Sequence, residues 1–74
     1  MRKSEFHRAV VDQFGEAYGR ILMRDLVMSA VGELTAEQAL VQGFPPRDVW
    51  LALCDAEGVP ESRRHGVGLP APRR

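Results

Sequence analysis

The chain contains one cysteine and two histidines, the side chains best suited to nucleophilic catalysis. A reactive thiol needs a neighbouring base, and Cys54 would have to find it in His7 or His65. Cys54 instead follows Trp50 by four residues on an apolar helical stripe, near the end of that helix. Because burial and the negative end of a helix dipole both raise the pKa of a thiol, we expect Cys54 to be an unreactive core residue.

Other chemical sites are not supported by the spacing of their residues. One cysteine and two histidines, tens of residues apart, do not form the paired ligand spacing of a zinc site. Gly66 and Gly68 are not followed by the lysine and helix of a phosphate-binding loop. Asp55 and Glu57 point to different sides of a helix, so they do not form an acid and base pair. The sequence therefore predicts no catalytic residue, no metal and no cofactor, and an enzyme is the least supported class.

The sharpest pattern is that of a helix-turn-helix. Ala39, Gly43 and Val49 fall where such a motif has a small residue, a turn glycine and an apolar anchor. Arg47 would be exposed at the start of the second helix, but Asp48 beside it would repel phosphates. We therefore favour a plain helical hairpin and keep binding to duplex DNA as the alternative. That alternative would use Arg47, Arg63, Arg64, Arg73 and Arg74.

Trp50 and Asp25 are the remaining candidates for a binding role. Tryptophan is favoured as an interface anchor, but the stripe position of Trp50 makes the core the stronger interpretation. Asp25 shares a helix face with Tyr18 and Leu22, so we expect it to be partly buried, with a capping or ion-pair partner. The candidate partner-binding residues are Arg24, Asp25, Arg47 and Trp50.

Two helices are predicted in the first half of the chain. Ser4 is a good N-cap for a helix over residues 5 to 14, which has an apolar stripe at four-residue spacing. Residues 16 to 31 contain no proline and present a wide apolar surface, which predicts the central and most buried helix. Gly32 is its expected C-cap. The apolar excess of this helix also leaves self-association of the chain open.

The second half contains a predicted helical hairpin. Thr35 and Gln38 form a capping box for a short helix that stops at Gly43. Two prolines then form a stiff connection to a fourth helix, which carries the Trp50 stripe and is closed by Gly58. We therefore predict an all-α fold, a small bundle of about four short helices with a helix-turn-helix-like hairpin.

The chain is long enough for one domain only. Of its 74 residues, 45% are hydrophobic and 27% are charged, which is a globular composition. We expect the folded domain to cover residues 1 to 62, and the Arg, Pro and Gly-rich residues 63 to 74 to be a disordered tail. A single cysteine, and no signal-peptide or membrane-spanning pattern, predict a cytoplasmic protein without a membrane partner.

Charge is balanced over the whole chain but not along it. Ten basic and ten acidic side chains cancel, so no overall field attracts nucleic acid or an anionic membrane. Residues 33 to 58 have a net charge of about −4, whereas residues 59 to 74 have about +3. The basic excess therefore lies in the tail, and attraction of an anionic partner would have to be local.

Several short motifs occur together in a fixed order. They are Phe14-Gly15-Glu16-Ala17-Tyr18, Arg24-Asp25-Leu26-Val27, Thr35 with Glu37-Gln38-Ala39-Leu40 and Gly43, and Val49-Trp50-Leu51-Ala52-Leu53-Cys54 with Val59-Pro60. Together they resemble domain-of-unknown-function family 3046, a family of short actinobacterial proteins, over nearly all of residues 1 to 64. The resemblance implies a helical cytosolic protein and supplies no catalytic residue. Genes of this family lie near those of a recombinase and its regulator, which implies a role close to DNA repair or recombination.

These observations predict a non-catalytic protein-interaction or regulatory module, associated with DNA repair or recombination through the resemblance alone. The expected partner is another protein, which the sequence does not identify, or a second copy of the chain. A DNA-binding protein of helix-turn-helix type is the alternative.

Overall fold

The computed structural model describes residues 1–64, which form an all-α bundle as predicted. Two short 3₁₀ helices, Ser29–Val31 and Glu61–Arg63, lie between and after the α-helices. In the described part of the chain, β pairing is limited to an isolated bridge between Met28 and Leu34. The four α-helices are α1 (Lys3–Phe14), α2 (Glu16–Asp25), α3 (Ala36–Val41) and α4 (Pro46–Glu57).

Helix α1 begins before its predicted start. Ser4 lies inside the helix instead of at its N-cap, and the backbone N–H of Arg2 donates to the Glu5 carboxylate at 2.7 Å. Gly15 separates α1 from α2 with a φ of 88°, a conformation that favours glycine. The two helices follow each other through this one residue, so their packing depends on how closely they can approach.

Gly19 allows α1 and α2 to approach closely. It is buried on α2, and a Cβ atom at this position would lie 2.7 Å from Cγ1 of Val10 and 3.4 Å from its carbonyl oxygen. The first distance is far shorter than the separation of about 3.5 to 4.0 Å at which carbon atoms pack. Packing therefore requires glycine at this position, although glycine in the middle of a helix weakens that helix.

The predicted helix over residues 16 to 31 is wrong beyond Asp25. Leu26 is extended, with φ −80° and ψ 114°, and the chain then turns back on itself. The backbone N–H of Met28 donates to the carbonyl oxygen of Leu34 at 3.0 Å, which closes the turn. This hydrogen bond replaces the helical bonds that a continued α2 would have made.

Two residues with positive φ form this turn. Gly32 has φ 76° and Glu33 has φ 64°, so the predicted left-handed glycine is present but ends a 3₁₀ helix. The turn buries Met28 and Val31, and the 3₁₀ helix packs against α4. Val27, in contrast, is left about half exposed.

The predicted capping box and hairpin turn are confirmed. The N–H of Gln38 donates to Oγ1 of Thr35 at 3.2 Å, and the N–H of Thr35 donates to Oε1 of Gln38 at 3.0 Å. Gly43 has φ 98° in the turn, and the N–H of Phe44 donates to the carbonyl oxygen of Ala39 at 3.0 Å. The turn leads directly into α4, whose first residue is a proline.

The core is centred on α4 and not on the predicted second helix. Val49, Trp50, Leu53 and Cys54 are all buried on α4. The Trp50 ring meets the ring of Phe6 edge to face, with the centroids 6.5 Å apart. Helix α2 buries only three of its 10 residues. Helix α4, with five buried residues, therefore contributes more to the core than any other of the four.

The end of the described chain is tied to α4. The indole N–H of Trp50 donates to the carbonyl oxygen of Arg64 at 2.8 Å, and Nε of Arg64 donates to the carbonyl oxygen of Val59 at 2.8 Å. The Arg64 guanidinium also pairs with the Asp55 carboxylate. We call these three contacts the Arg64 clasp. The packed chain thus extends to Arg64, past the predicted end of the domain, and residues 65–74 of the predicted tail lie outside the described residues.

Candidate interaction surface

Cys54 belongs to the core, as predicted. Its side chain is fully buried on α4. Burial raises the pKa of the Cys54 thiol to about 11, the positive charge of Arg64 partly opposes this rise, and Asp55 adds to it. A thiol with this pKa is protonated at neutral pH, so Cys54 is poorly suited to nucleophilic attack.

His7 does not join the cysteine in a cluster. His7 is exposed on α1, and His65 lies outside the described residues. Within residues 1–64, no group of three His, Cys, Asp or Glu side chains is arranged to hold a metal ion. Over the same residues, no helix has both the length and the apolar character needed to cross a membrane.

The structure places one of the candidate partner-binding residues as expected and another differently. Trp50 is only 1% exposed and its indole N–H donates to the carbonyl oxygen of Arg64, so the core interpretation is confirmed. Asp25 is exposed instead of partly buried, because α2 ends there and no later helical turn covers it. Its ion-pair partner is the adjacent Arg24, with Nε and Oδ1 3.2 Å apart.

The arginines of the DNA-binding alternative are not gathered on one surface of the described chain. Arg47 is exposed in the first turn of α4, whereas Arg64 is held in the clasp near the other end of that helix. Arg63 is exposed in the last 3₁₀ helix. Arg73 and Arg74 lie outside the described residues.

The hairpin has the packing of a helix-turn-helix but an acidic exposed side. Ala39 and Val49 are fully buried at the positions predicted for a small residue and an apolar anchor. Arg47, Asp48 and Asp55 are exposed on α4. Asp55 is paired with Arg64, so the free charges of the first turn are Arg47 and Asp48, and the Asp48 carboxylate beside Arg47 disfavours the approach of this helix to DNA phosphates.

Several large apolar side chains are exposed, and Val41 at the end of α3 is the most exposed of them, at 85%. Tyr18 and Ile21 lie in the segment from residue 16 to residue 31 that the sequence predicts as the most buried helix, and no sequence pattern marks Val11 or Val41 as exposed apolar residues. The exposed large apolar residues are Val11, Tyr18, Ile21, Val27 and Val41.

Tyr18 is exposed for a reason within the fold. Its hydroxyl donates to the Glu57 carboxylate at 2.8 Å, and this hydrogen bond raises the pKa of Tyr18. The Tyr18 ring packs against Phe14, which in turn contacts the Trp50 ring. Tyr18 therefore links α2 to the end of α4 and is not a free apolar side chain.

Val11 borders a groove between α1, α2 and α3, with a volume of about 370 Å³. Three buried residues, Val10, Gly19 and Met23, form its floor. The close approach at Gly19 therefore also shapes the groove. The exposed residues with polar or charged side chains along its rim are His7, Glu16, Arg20 and Glu37.

A second, more open hollow adjoins this groove on α3. It has a volume of about 280 Å³ and is lined by Glu37, Gln38, Val41 and Gln42. Glu37 lines both depressions, so they are neighbours on the surface. We call the groove and the hollow together the α3 surface. Val41 is the apolar residue of the hollow, and Glu37 is the residue that the groove and the hollow share.

The family described as "Protein of unknown function (DUF3046)" matches residues 1–62, a segment that contains all four α-helices and the whole α3 surface. No curated protein and no solved structure matches the chain. The motifs that resemble this family are distributed over the same residues as the match. The chain therefore belongs to the family "Protein of unknown function (DUF3046)".

Proposed function

We propose that this protein is a non-catalytic interaction module that binds another protein through the α3 surface. The proposal is carried by Val41, which is 85% exposed at the end of α3, beside an open hollow. A side chain so exposed contributes little to the fold, whereas contiguous apolar surface is what protein partners cover. Val11 and the buried floor of the neighbouring groove extend the apolar area beyond one residue.

The charge of this half of the molecule favours a protein over a nucleic acid. Residues 33 to 58, which include α3 and α4, have a net charge of about −4, or about −3 once Arg64, which pairs with Asp55, is counted with them. Glu37 is the charged residue shared by both depressions of the α3 surface. Phosphates would be repelled by this surface, while a protein partner can place apolar or basic side chains on it.

A regulatory role is part of the same proposal. A domain of this size acts on a partner most simply by covering one of its surfaces, and such binding needs no catalytic residue. An association with DNA repair or recombination, which the family resemblance implies, is likewise proposed. Identification of the partner protein would test the proposed association with DNA repair or recombination.

The test is a crosslinking pull-down of the tagged full-length protein from a lysate of its own host, with and without nuclease. We compare the wild type with Val41→Lys and with Val27→Lys as a matched control. Val27 is also an exposed valine, at 52%, but it lies in the turn after α2 and lines neither depression.

We expect one protein to be enriched with the wild type and with Val27→Lys, to resist nuclease, and to be lost with Val41→Lys. Circular dichroism of both variants controls for folding. Capture that is equal for the two variants would contradict binding at the α3 surface. Capture that disappears with nuclease would favour DNA instead.

DNA binding of helix-turn-helix type is a second candidate, supported by the packing of Ala39, Gly43 and Val49 in the hairpin. It predicts binding to duplex DNA that falls steeply between about 50 and 200 mM salt. It also predicts that Arg47→Ala weakens this binding. Fluorescence anisotropy on a labelled duplex measures both effects, and salt-independent or absent binding would reject this candidate.

A further inference from the structure

The α3 surface has one charge that the fold leaves unpaired. Glu16 and Arg20 on the groove rim pair with each other across one helical turn, with Oε1 and Nη2 3.6 Å apart. Glu37 has no ion pair within residues 1–64. It is exposed and lines both the groove and the hollow. A partner that covers both depressions must therefore place a group against this carboxylate.

The chemistry of that group follows from the cost of covering a charge. A carboxylate that loses water without a partner is strongly destabilised, whereas a lysine or arginine opposite it restores the interaction. The charged side chains that line the two depressions sum to about −1, because Glu16 and Arg20 cancel, so Glu37 sets the sign of the local field. The charge complement of the α3 surface is thus a cationic side chain.

The apolar part of the surface flanks the same carboxylate. Val41 follows Glu37 by four residues, so the two side chains lie one helical turn apart on α3. On the other side of Glu37, the groove offers an apolar floor formed by Val10 and Met23. An amphipathic helix has the matching spacing, because its residues three and four apart also lie on one face.

A second copy of this chain fits less well. A symmetric dimer pairs one surface patch with the same patch on its partner. A two-fold axis at Glu37 would set the two Glu37 carboxylates against each other, and an axis displaced from Glu37 could offer it only Arg20, which already pairs with Glu16. A different protein that offers a basic helix avoids this repulsion.

We infer that the α3 surface binds an amphipathic helix of another protein, which places apolar side chains in the groove and against Val41 and a lysine or arginine against Glu37. This inference rests on the proposed function, and it adds the chemistry of the partner and the contact that selects it. Glu37 supplies specificity and association rate, and the apolar groups supply most of the affinity.

The probe is a phage-displayed library of random 16-residue peptides, selected on the full-length wild-type protein. We expect enriched sequences to carry apolar residues at helical spacing together with a lysine or arginine three or four positions from one of them. Synthetic copies of these peptides are then titrated by fluorescence anisotropy against the wild type and three variants: Glu37→Lys, Val41→Lys and the control Val27→Lys.

The expected loss of affinity is about fivefold for Glu37→Lys, because the pair is exposed, and about tenfold or more for Val41→Lys. Val27→Lys should leave the affinity unchanged. A peptide in which the basic residue is replaced by glutamate should bind Glu37→Lys better than it binds the wild type. This charge swap identifies the contact itself, since a general loss of folding cannot produce it.

Several outcomes would overturn the inference. These are no enriched peptide, enrichment of acidic peptides, affinity that is insensitive to Glu37→Lys, and no recovery in the charge swap. Sedimentation equilibrium that shows a dimer abolished by Val41→Lys would also overturn it, because a second copy would then occupy the surface.

The peptide experiment and the pull-down fail in different ways. If the pull-down depends on Val41 but the peptides do not depend on Glu37, the proposed function stands and the basic helix is wrong. If the pull-down gives equal capture with Val41→Lys and Val27→Lys, the proposed function itself fails.

Discussion

Apolar side chains are buried on the α4 side of the bundle, which consists of α4 and the Arg64 clasp, whereas several are exposed at the α3 surface. On α4, Trp50 is enclosed and its single polar atom is bonded by Arg64. At the α3 surface, Val41 and Val11 face solvent, and Glu37 has no ion pair within residues 1–64. Polar and apolar groups are both satisfied within the first region, while the second exposes apolar area and a carboxylate that has no ion-pair partner among the described residues.

This contrast separates stability from binding. The core has no buried side-chain polar atom without a hydrogen-bond partner in the described residues, so truncation of its side chains removes favourable contacts. The exposed side chains of the α3 surface, such as Val41 and Glu37, make few contacts in the isolated domain, whereas the buried floor of the groove belongs to the core. We therefore expect large losses of folding free energy from the first region and almost none from the second.

The largest effect is expected for Trp50→Ala. Truncation of a buried tryptophan costs about 3 to 5 kcal/mol, which approaches the total stability of a small domain. We expect the variant to lose most of its helical circular dichroism signal at room temperature. Val41→Ala is the control and should unfold in urea with a nearly unchanged midpoint. A Trp50→Ala variant with native-like stability would break the comparison, because the α4 side would then not be the source of stability.

Gly19→Ala tests the approach of α1 and α2. Helix propensity alone would make alanine more stable than glycine by about 1 kcal/mol. The clash with Val10 opposes this, and overpacking of a core costs about 1 to 3 kcal/mol. We expect Gly19→Ala to lower the stability measured by thermal denaturation. The loss should be smaller when Gly19→Ala is added to Val10→Ala and compared with Val10→Ala alone, since the clashing methyl group is then absent. A stabilised Gly19→Ala variant would show that the helices can separate without cost.

The hairpin was predictable because its signals are local. The Thr35 and Gln38 capping box, Gly43 and the proline that begins α4 each fix a few backbone angles within a few residues. Their effect does not depend on the rest of the molecule. The short helix and the turn therefore appear where the sequence places them.

The end of α2 was not predictable from periodicity. Met28 and Val31 are three residues apart, which fits one face of a helix as well as it fits the observed turn. The choice is made by the bond between Met28 and Leu34 and by packing of the turn against α4. Tertiary contacts of this kind override local preference.

Some of the candidate site residues could likewise be placed from sequence, and others could not. Burial of Cys54 follows from its place on one helical stripe, so sequence was sufficient. The α3 surface instead depends on where three helices meet, and no local pattern marks Val11, Glu37 and Val41 as neighbours. The clasp also joins residues that no spacing rule connects, since Arg64 reaches back to Trp50 through its carbonyl oxygen.

The Arg64 clasp gives the third prediction. A chain that ends at Ser62 lacks the carbonyl oxygen that bonds the Trp50 indole, and an unsatisfied buried donor costs about 1 to 3 kcal/mol. A chain that ends at Arg64 keeps these atoms and is the control. Urea denaturation of both chains measures the difference. Equal stability would mean that the clasp does not contribute to closing the α4 side.

Alkaline pH gives the fourth prediction. The folded-state pKa of Cys54 is raised to about 11, whereas an unfolded cysteine titrates near about 8.5. Below the lower value both states keep the proton, so the contribution of the buried thiol is complete. Between the two values the unfolded chain loses the proton first, and the free energy of unfolding falls as pH rises.

The comparison of the wild type with Cys54→Ala isolates this effect, because Tyr18 and all other groups titrate in both proteins. The wild type should be more stable than the variant near pH 8, and the difference should narrow near pH 10 under reducing conditions. The measurement is urea unfolding at each pH. A difference that stays constant would mean that the thiol of the folded protein titrates as an exposed one does.

The smallest effect on stability is expected at the α3 surface itself. Val41→Lys and Val27→Lys each replace an exposed valine, so both should change the free energy of unfolding by no more than about 0.5 kcal/mol. The two variants would then differ in binding while remaining equal in stability, as judged by their urea midpoints. If Val41→Lys were clearly less stable than Val27→Lys, Val41 would serve the fold after all. The separation between a closed α4 side and an open α3 surface would then have to be abandoned.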